Sequence, residues 1–321
     1  MPRPPQLAKI FNYYTLIALC VIGLMYHFLF IQNDFTVRLP GPLRTPQHIS
    51  KEFPKLLWYK LGPKGLSDEA REWTDTCIKN NPEYKATFMT DESGDEYVRK
   101  TFAFRPDIVD TYLSFPVPIY KADMLRYLLL WDQGGIWSDL DVSCEGIPID
   151  EWVPSEYQQN ASIVAGWEFD AGWPEPFPRQ FASWTIMAKP RSPHMMNVVD
   201  EILEEVRKKT TEHNVTVSSI TLEMMGDVVD FTGPRRLTNG VFHSLEKELN
   251  ATIDLTELQG IVQPVLVEDV LIMPGPSFAA SSNTYTPKQE ALLPPPLVTH
   301  HYAGSWKNDK GGEAKRKRRR R

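Results

Sequence analysis

Cysteine is scarce in this 321-residue chain: only Cys20, Cys77 and Cys144 are present. No two of them have the close spacing of a zinc site, so a cysteine-held metal is not expected. Positive charge is also scarce outside the extreme C-terminus. The formal net charge is −6, yet Lys315 to Arg321 are seven consecutive basic residues, leaving −13 for the rest. An acidic body of this kind argues against nucleic-acid binding through the main domain. The basic tail, 311–321, reads as a solvated end, with contact to anionic lipid or a partner as the alternative. Long apolar runs are confined to one place.

That run, Ile10 to Ile31, is interrupted only by Asn12, Thr15 and His27 among apolar residues. It meets the length of about 20 residues needed to cross a bilayer, and Tyr13, Tyr14 and Tyr26 lie towards its ends, where interfacial aromatics belong. It is too long for a cleaved signal peptide, and no small-x-small cleavage site follows. Lys/Arg counting does not orient it. Three sequons, at Asn160, Asn214 and Asn250, favour a lumenal C-terminal side. The expected organisation is a cytosolic tail (1–9), one transmembrane signal anchor (10–31), a proline-bearing stem (32–50), a catalytic domain (51–310) and the basic tail. This is a single-pass type II membrane protein. Cys77 and Cys144 would face an oxidising lumen and have the chance to pair. Cys77, however, shares a helical face with Ala70 and Trp73, which favours a buried free thiol.

The body alternates strand and helix signals. Phe53–Tyr59 reads as a buried strand, a helix follows from the cap Ser67 through Ala70, Trp73 and Cys77, Asn81-Pro82 breaks it, and Tyr84–Met89 is a second strand. Such β-α-β alternation predicts a parallel sheet covered by helices, an α/β class. Further on, 162–169 and 184–188 read as strands. Ser192-Pro193 opens a helix with Met195, Val198, Val199, Ile202 and Val206 at core spacing.

The most informative stretch is Ile119 to Val142, IYKADMLRYLLLWDQGGIWSDLDV. Asp123 and Arg126 are three apart on one helical face, Leu125, Leu128 and Leu129 take the core side, and Gly134-Gly135 stop the helix. A strand then ends in Asp139-Leu140-Asp141. On a strand, alternate residues point the same way, so the two carboxylates are expected to form one hard oxygen site for Mn²⁺ or Mg²⁺ carrying phosphates. A bare Asp-x-Asp is weak evidence; the string around it gives it weight.

Ala122, Asp123, Arg126, Tyr127, Gly134, Gly135, Trp137, Asp139 and Asp141 together resemble the sugar-nucleotide site of glycosyltransferase family 32. Pro54, Lys55 and Trp58, Gln180-Phe181 with Trp184-Thr185, Asp230-Phe-Thr-Gly-Pro234, Asp269-Val-Leu-Ile-Met-Pro274 and His301-Tyr-Ala-Gly-Ser-Trp306 extend the resemblance over roughly 53–307 and towards its fungal branch. That resemblance implies a Rossmann-like GT-A fold, and a retaining mannosyltransferase of the Golgi using GDP-mannose and a divalent metal on N-glycans or mannan. By the same resemblance, Asp139, Asp141 and His301 are the expected metal ligands. Trp58, Asp123, Arg126, Tyr127, Asp139, Ser305 and Trp306 are the expected donor contacts, with Trp58 stacking on the base; Tyr59, or simple packing of Trp58, is the alternative. Trp184 and Thr185 are acceptor-side candidates. No catalytic base is identified. Arg235-Arg236-Leu237 departs from the branch's Gly-x-Trp after Thr-Gly-Pro and bears on the acceptor. The alternatives are mannose transfer to inositolphosphoryl sphingolipids, or a non-catalytic subunit of a mannan-synthesising complex.

Overall fold

β1 (Leu56–Lys60) and β2 (Lys85–Met89) pair in parallel, as expected of a β-α-β unit, around α1 (Asp68–Asn80). Ser67 caps α1, its side chain accepting from the Ala70 N–H. Three helices follow, α2 (Asp91–Thr101), α3 (Pro106–Ser114) and α4 (Pro118–Asp132), before the chain returns to the sheet as β3 (Gly135–Ser138), parallel to β1 on its other side. These features come from a computed structural model, which describes residues 52–173, 177 and 179–304.

A turn leads from β3 to the short β4 (Val142–Cys144). Next come β5 (Ile163–Phe169), β6 (Gln180–Phe181) and β7 (Thr185–Ala188). The long α5 (Pro193–His213), two single-turn helices, α6 (Leu222–Met225) and α7 (Val228–Phe231), and α8 (Pro234–Leu249) then lead to β8 (Val265–Val267) and β9 (Val270–Met273). After α9 (Gly275–Ala279), β10 (Val298–His300) pairs antiparallel with β4 in a separate ribbon.

The main sheet has the order β2-β1-β3-β7-β5-β9-β8, with β6 beside β5. It is mixed, which corrects the expectation of a parallel sheet. β7 runs antiparallel to both β3 and β5, and β8 antiparallel to β9. β7 enters from a short connection after β6, too short for the helical crossover that a parallel strand requires.

Period-two alternation divides the core into two layers. Trp58, Trp137, Ile163 and Trp167 face one side with helices α2 to α5 and α8. Leu57, Tyr59, Ile136, Val164 and Leu271 face the other with Phe278, Cys77 and Cys144. On that second side α1 packs on β4, and Cys77 and Cys144 form a disulfide with their Cα atoms 4.8 Å apart. This corrects the free-thiol expectation. The helical face of Cys77 is indeed buried, but what covers it is the strand carrying Cys144, a partner that helical periodicity does not reveal. Closing a loop of this size typically stabilises a domain by about 2–4 kcal/mol.

Among the described residues no helix is long and apolar enough to cross a membrane. The expected span 10–31, the stem, the basic tail, Ser305 and Trp306 lie outside the described residues.

Candidate active site

The site is built where α4 hands the chain to β3. α4 is buried on every face from Met124 to Leu130, because it lies between the sheet and the outer helices α2, α3 and α5. An isolated charge there would cost several kcal/mol, so Asp123 and Arg126 neutralise one another: Arg126 Nη1 is 3.2 Å from Asp123 Oδ1. Thr232 Oγ1 donates to Asp123 Oδ2 at 2.8 Å, and Tyr127 Oη donates to the Thr232 carbonyl at 2.8 Å. Tyr127, expected to touch the donor, is thus a buried strut that positions Thr232.

Gly134 and Gly135 make the handover possible. Both have left-handed backbone, with φ of 67° and 95°. A Cβ on Gly134 would lie 2.8 Å from the Ala188 carbonyl oxygen, and one on Gly135 would lie 2.6 Å from that of Leu56. Only glycine fits the chain between β1 and β7 here.

β3 ends at Ser138, so Asp139-Leu140-Asp141 is a turn and not the strand end expected; the Val142 N–H closes it on the Asp139 carbonyl at 3.2 Å. Strand alternation therefore does not apply, and the carboxylates part company. Asp139 turns back towards α4: its Oδ1 accepts from Arg126 Nη2 at 3.1 Å and from Trp137 Nε1 at 2.7 Å. The Arg126 guanidinium lies 5.0 Å from the centre of the Trp137 ring. Asp141 turns the other way, towards β10. Its Oδ2 accepts from the Ala303 N–H at 2.9 Å and its Oδ1 is 3.3 Å from His300 Nε2.

His300, not His301, therefore faces the Asp-x-Asp turn. Neighbours in an extended chain point to opposite sides, and His301 stacks on Trp73 at 4.3 Å with Nε2 2.9 Å from Ser143 Oγ. His300 stacks on Trp184 at 4.1 Å. The register of β10 on β4, with His300 opposite Val142, decides which histidine faces Asp141, and nothing in the sequence fixes that register. Thr232 was missed for the same reason, although the quoted Thr-Gly-Pro turn contains it.

The remaining candidates fall as follows. Trp58 is buried among α2 to α4 and its indole N–H donates to the Gly134 carbonyl at 2.9 Å. It packs rather than presenting a face for a base. Trp184 and Thr185 are also buried, the Trp184 indole N–H donating to the Phe278 carbonyl at 2.8 Å. Asn160, Asn214 and Asn250 are all exposed, the last two at helix C-termini.

Burial pushes the Asp123 carboxyl up to about 6, against Arg126 and Thr232, which pull it down. Burial also acts to raise Asp141. There the His300 hydrogen bond and charge and the Ala303 N–H outweigh it, holding the carboxyl below its ordinary value. With all three carboxylates ionised against one guanidinium, and the His300 imidazole neutral as a metal ligand must be, the site carries two net negative charges. An anionic phosphate donor is repelled by such a site unless a cation comes with it.

The donor chemistry fits a hard divalent cation at Asp141. Two ligand bonds of about 2.1 Å to one ion place their donor atoms about 3 Å apart, close to the 3.3 Å between Asp141 Oδ1 and His300 Nε2. Asp139 does not converge with them. Among the described residues, the histidine and carboxylate atoms that gather within 4.8 Å as a trio are those of His194, Glu248 and Asp269, elsewhere on the sheet.

Residues 67–159 match the family described as glycosyltransferase sugar-binding region containing DXD motif. The chain is similar to the initiation-specific alpha-1,6-mannosyltransferase of Candida albicans, 28% identical over 306 residues, which cover 87% of this chain and 78% of that one. It is similar to the protein of the same name from Schizosaccharomyces pombe, 29% identical over 80% of this chain and 65% of that one. A shorter match, 39% identical over 69 residues, covers 22% of this chain and 18% of the inositol phosphoceramide mannosyltransferase 3 of Schizosaccharomyces pombe. The matched region holds Asp123, Arg126, Asp139 and Asp141, and with the longer similarities it makes this chain a glycosyltransferase.

Proposed function

We propose that the protein transfers mannose from GDP-mannose, with retention, to a mannose-bearing N-glycan or mannan, forming an α-1,6-type linkage. The observation that carries the proposal is the Asp123–Arg126–Asp139 network beside Asp141–His300, within a chain similar over most of its length to proteins named for that activity. The parallel half of the sheet, β2-β1-β3, supports a GT-A arrangement, since ligands of open α/β sheets bind beyond the carboxyl ends of the strands.

Mn²⁺, with Mg²⁺ as the alternative, would be held by Asp141 and His300, and when bound supplies Lewis-acid neutralisation of the diphosphate leaving group. Arg126 holds Asp139 in place and offsets part of the site's negative charge. Asp123 fixes Arg126 from behind. With Asp123 and Asp139 engaged by Arg126, neither is placed as a free nucleophile. A front-side route, in which the departing phosphate takes the acceptor's proton, therefore fits better than double displacement.

The disulfide and the three exposed sequon asparagines support a lumenal catalytic domain. We place it in the Golgi behind the span at 10–31. The shorter similarity to the inositol phosphoceramide enzyme favours a second reading, transfer to a glycolipid. The longer matches extend over most of the chain and favour the glycan.

The test is an assay of the detergent-solubilised full chain with Mn²⁺ and GDP-mannose, UDP-glucose or UDP-galactose. The acceptors are α-mannosides and, separately, inositolphosphorylceramide. GDP-mannose with α-mannosides is expected to give the highest kcat/KM. A faster UDP-sugar, or transfer to the lipid alone, would overturn the assignment.

A further inference from the structure

Most large apolar side chains of the described residues are buried; Trp173 and Tyr302 are two of the few that are not, at 40% and 48% exposed. Both meet Ser282. The Trp173 indole N–H donates to the Ser282 carbonyl at 2.7 Å, and the Ser282 hydroxyl meets the Tyr302 hydroxyl. Tyr302 in turn stands edge-on to His300 at 4.1 Å, and His300 faces Asp141. A continuous band thus runs from the Asp-x-Asp turn out to Trp173.

The band is held in place. Trp173 stacks on Phe177 and meets Phe169 edge-on, each with centroids 4.8 Å apart. Tyr302 adopts a left-handed backbone, φ 51°, which is uncommon for a bulky residue. That turn brings the Ala303 N–H back onto Asp141. Strain of this sort at a site edge points towards function.

We propose that Trp173 and Tyr302 form a platform for a pyranose ring of the acceptor, one or more sugar units from the hydroxyl that receives the new linkage. This rests on the glycosyl-transfer reading above. The polar edges of both aromatics are already spent on Ser282, and Phe177 covers one face of Trp173, so what they offer a ligand is the ring surface left uncovered. A pyranose presents C–H groups on its faces, which are attracted by the negative face of an aromatic ring. The position selects the acceptor over the donor. The parallel strands β2, β1 and β3 lie on one side of β7, and a nucleotide belongs beyond their carboxyl ends. Trp173 follows β5, on the other side of β7. Trp184, the acceptor-side candidate of the sequence, is buried beneath this band and supports His300.

The experiment compares the full chain with Trp173→Ala and Trp173→Tyr, using GDP-mannose, Mn²⁺ and α-linked manno-oligosaccharides of one to four units. The wild type is expected to show falling KM with acceptor length. Trp173→Ala should raise KM for the longer acceptors about 10-fold, the size of one aromatic stacking contact, with the KM for GDP-mannose unchanged. Trp173→Tyr should recover part of the loss. A second measurement needs no variant: saturating mannotetraose should change the tryptophan fluorescence of the wild type. Unchanged acceptor KM in Trp173→Ala, or unchanged fluorescence, would overturn the platform while leaving the transferase reading intact. Failure of the wild type to use any mannoside would instead overturn that reading, and the platform with it.

Discussion

Two histidine–aspartate pairs lie at opposite ends of one sheet, and the contrast separates scaffold from chemistry. At the amino ends of β5 and β9, His194 Nε2 is 2.7 Å from Asp269 Oδ1, His194 is fully buried, and the Ser162 hydroxyl donates to the other Asp269 oxygen. The Ser162 N–H adds a bond to the Asp269 carbonyl at 2.7 Å. Burial acts to raise the Asp269 carboxyl, but His194 and Ser162 outweigh it and hold it below its ordinary value. This pair clamps the start of α5 to two strands, and both of its carboxylate oxygens are used. Beyond the carboxyl end of β3, His300 and Asp141 are 3.3 Å apart, a longer contact, and both side chains keep some exposure. The same two residue types thus form a short contact that joins a helix to two strands, and a longer one at the Asp-x-Asp turn where we propose the metal binds.

The contrast can be broken or sharpened by substitution. The largest effect is expected at Arg126, which belongs to both functions. Arg126→Met leaves Asp123 and Asp139 unopposed in and beside the core. Turnover should fall by about 10²- to 10³-fold, the scale of removing one preorganised electrostatic group, and the melting temperature should fall as well. Steady-state kinetics with a thermal melt checks both, and near-normal turnover would detach the network from catalysis.

Asp269→Ala addresses the other pair. It leaves His194 buried without its partner, at a cost of about 2 kcal/mol given that Asp269 is itself partly exposed. The melting temperature should fall by about 4–8 °C, while the metal dependence of the rate stays as in the wild type. A shifted Mn²⁺ requirement would mean that His194, Glu248 and Asp269 are more than a clamp.

The smallest effect is in pH. Asp123, ordinarily near 3.8, is raised to about 6. The folded protein therefore binds this proton more tightly than the unfolded chain does. The group's contribution to stability falls as pH rises from about 4 to 6 and is level above that. Activity runs the other way, because only the ionised carboxylate pairs fully with Arg126. An acidic limb near pH 6 is expected in kcat/KM, and it should disappear in Asp123→Asn. A limb that survives that substitution would assign it to another group.

The sequence carried the parts of this account that are local. The cap at Ser67, the strands near 56–60, 85–89, 163–169 and 185–188 and the helix from Pro193 follow from composition and period, and the structure has them. The string that holds Asp123, Arg126, Asp139 and Asp141 singled them out, and the structure joins the first three in one network. What was illegible depended on pairing across the chain. The antiparallel entry of β7, the Cys77–Cys144 disulfide and the choice of His300 over His301 each depend on which strand lies beside which. Helical or strand periodicity carries no such information. Trp58 was left between base stacking and packing, because an aromatic at a strand end has the same signature whether it faces a ligand or a helix layer.

The central claim is that Asp141 with His300 forms the metal-dependent centre. The direct measurement is the initial rate against Mn²⁺ concentration for the wild type, Asp141→Asn, His300→Ala and His301→Ala, with thermal melts alongside. The account predicts at least about 10²-fold lower turnover in Asp141→Asn. It also predicts a raised Mn²⁺ requirement in His300→Ala, an unshifted one in His301→Ala, and melting temperatures near wild type for Asp141→Asn and His300→Ala. Full activity of the wild type in excess chelator, or a Mn²⁺ shift in His301→Ala with none in His300→Ala, would contradict it.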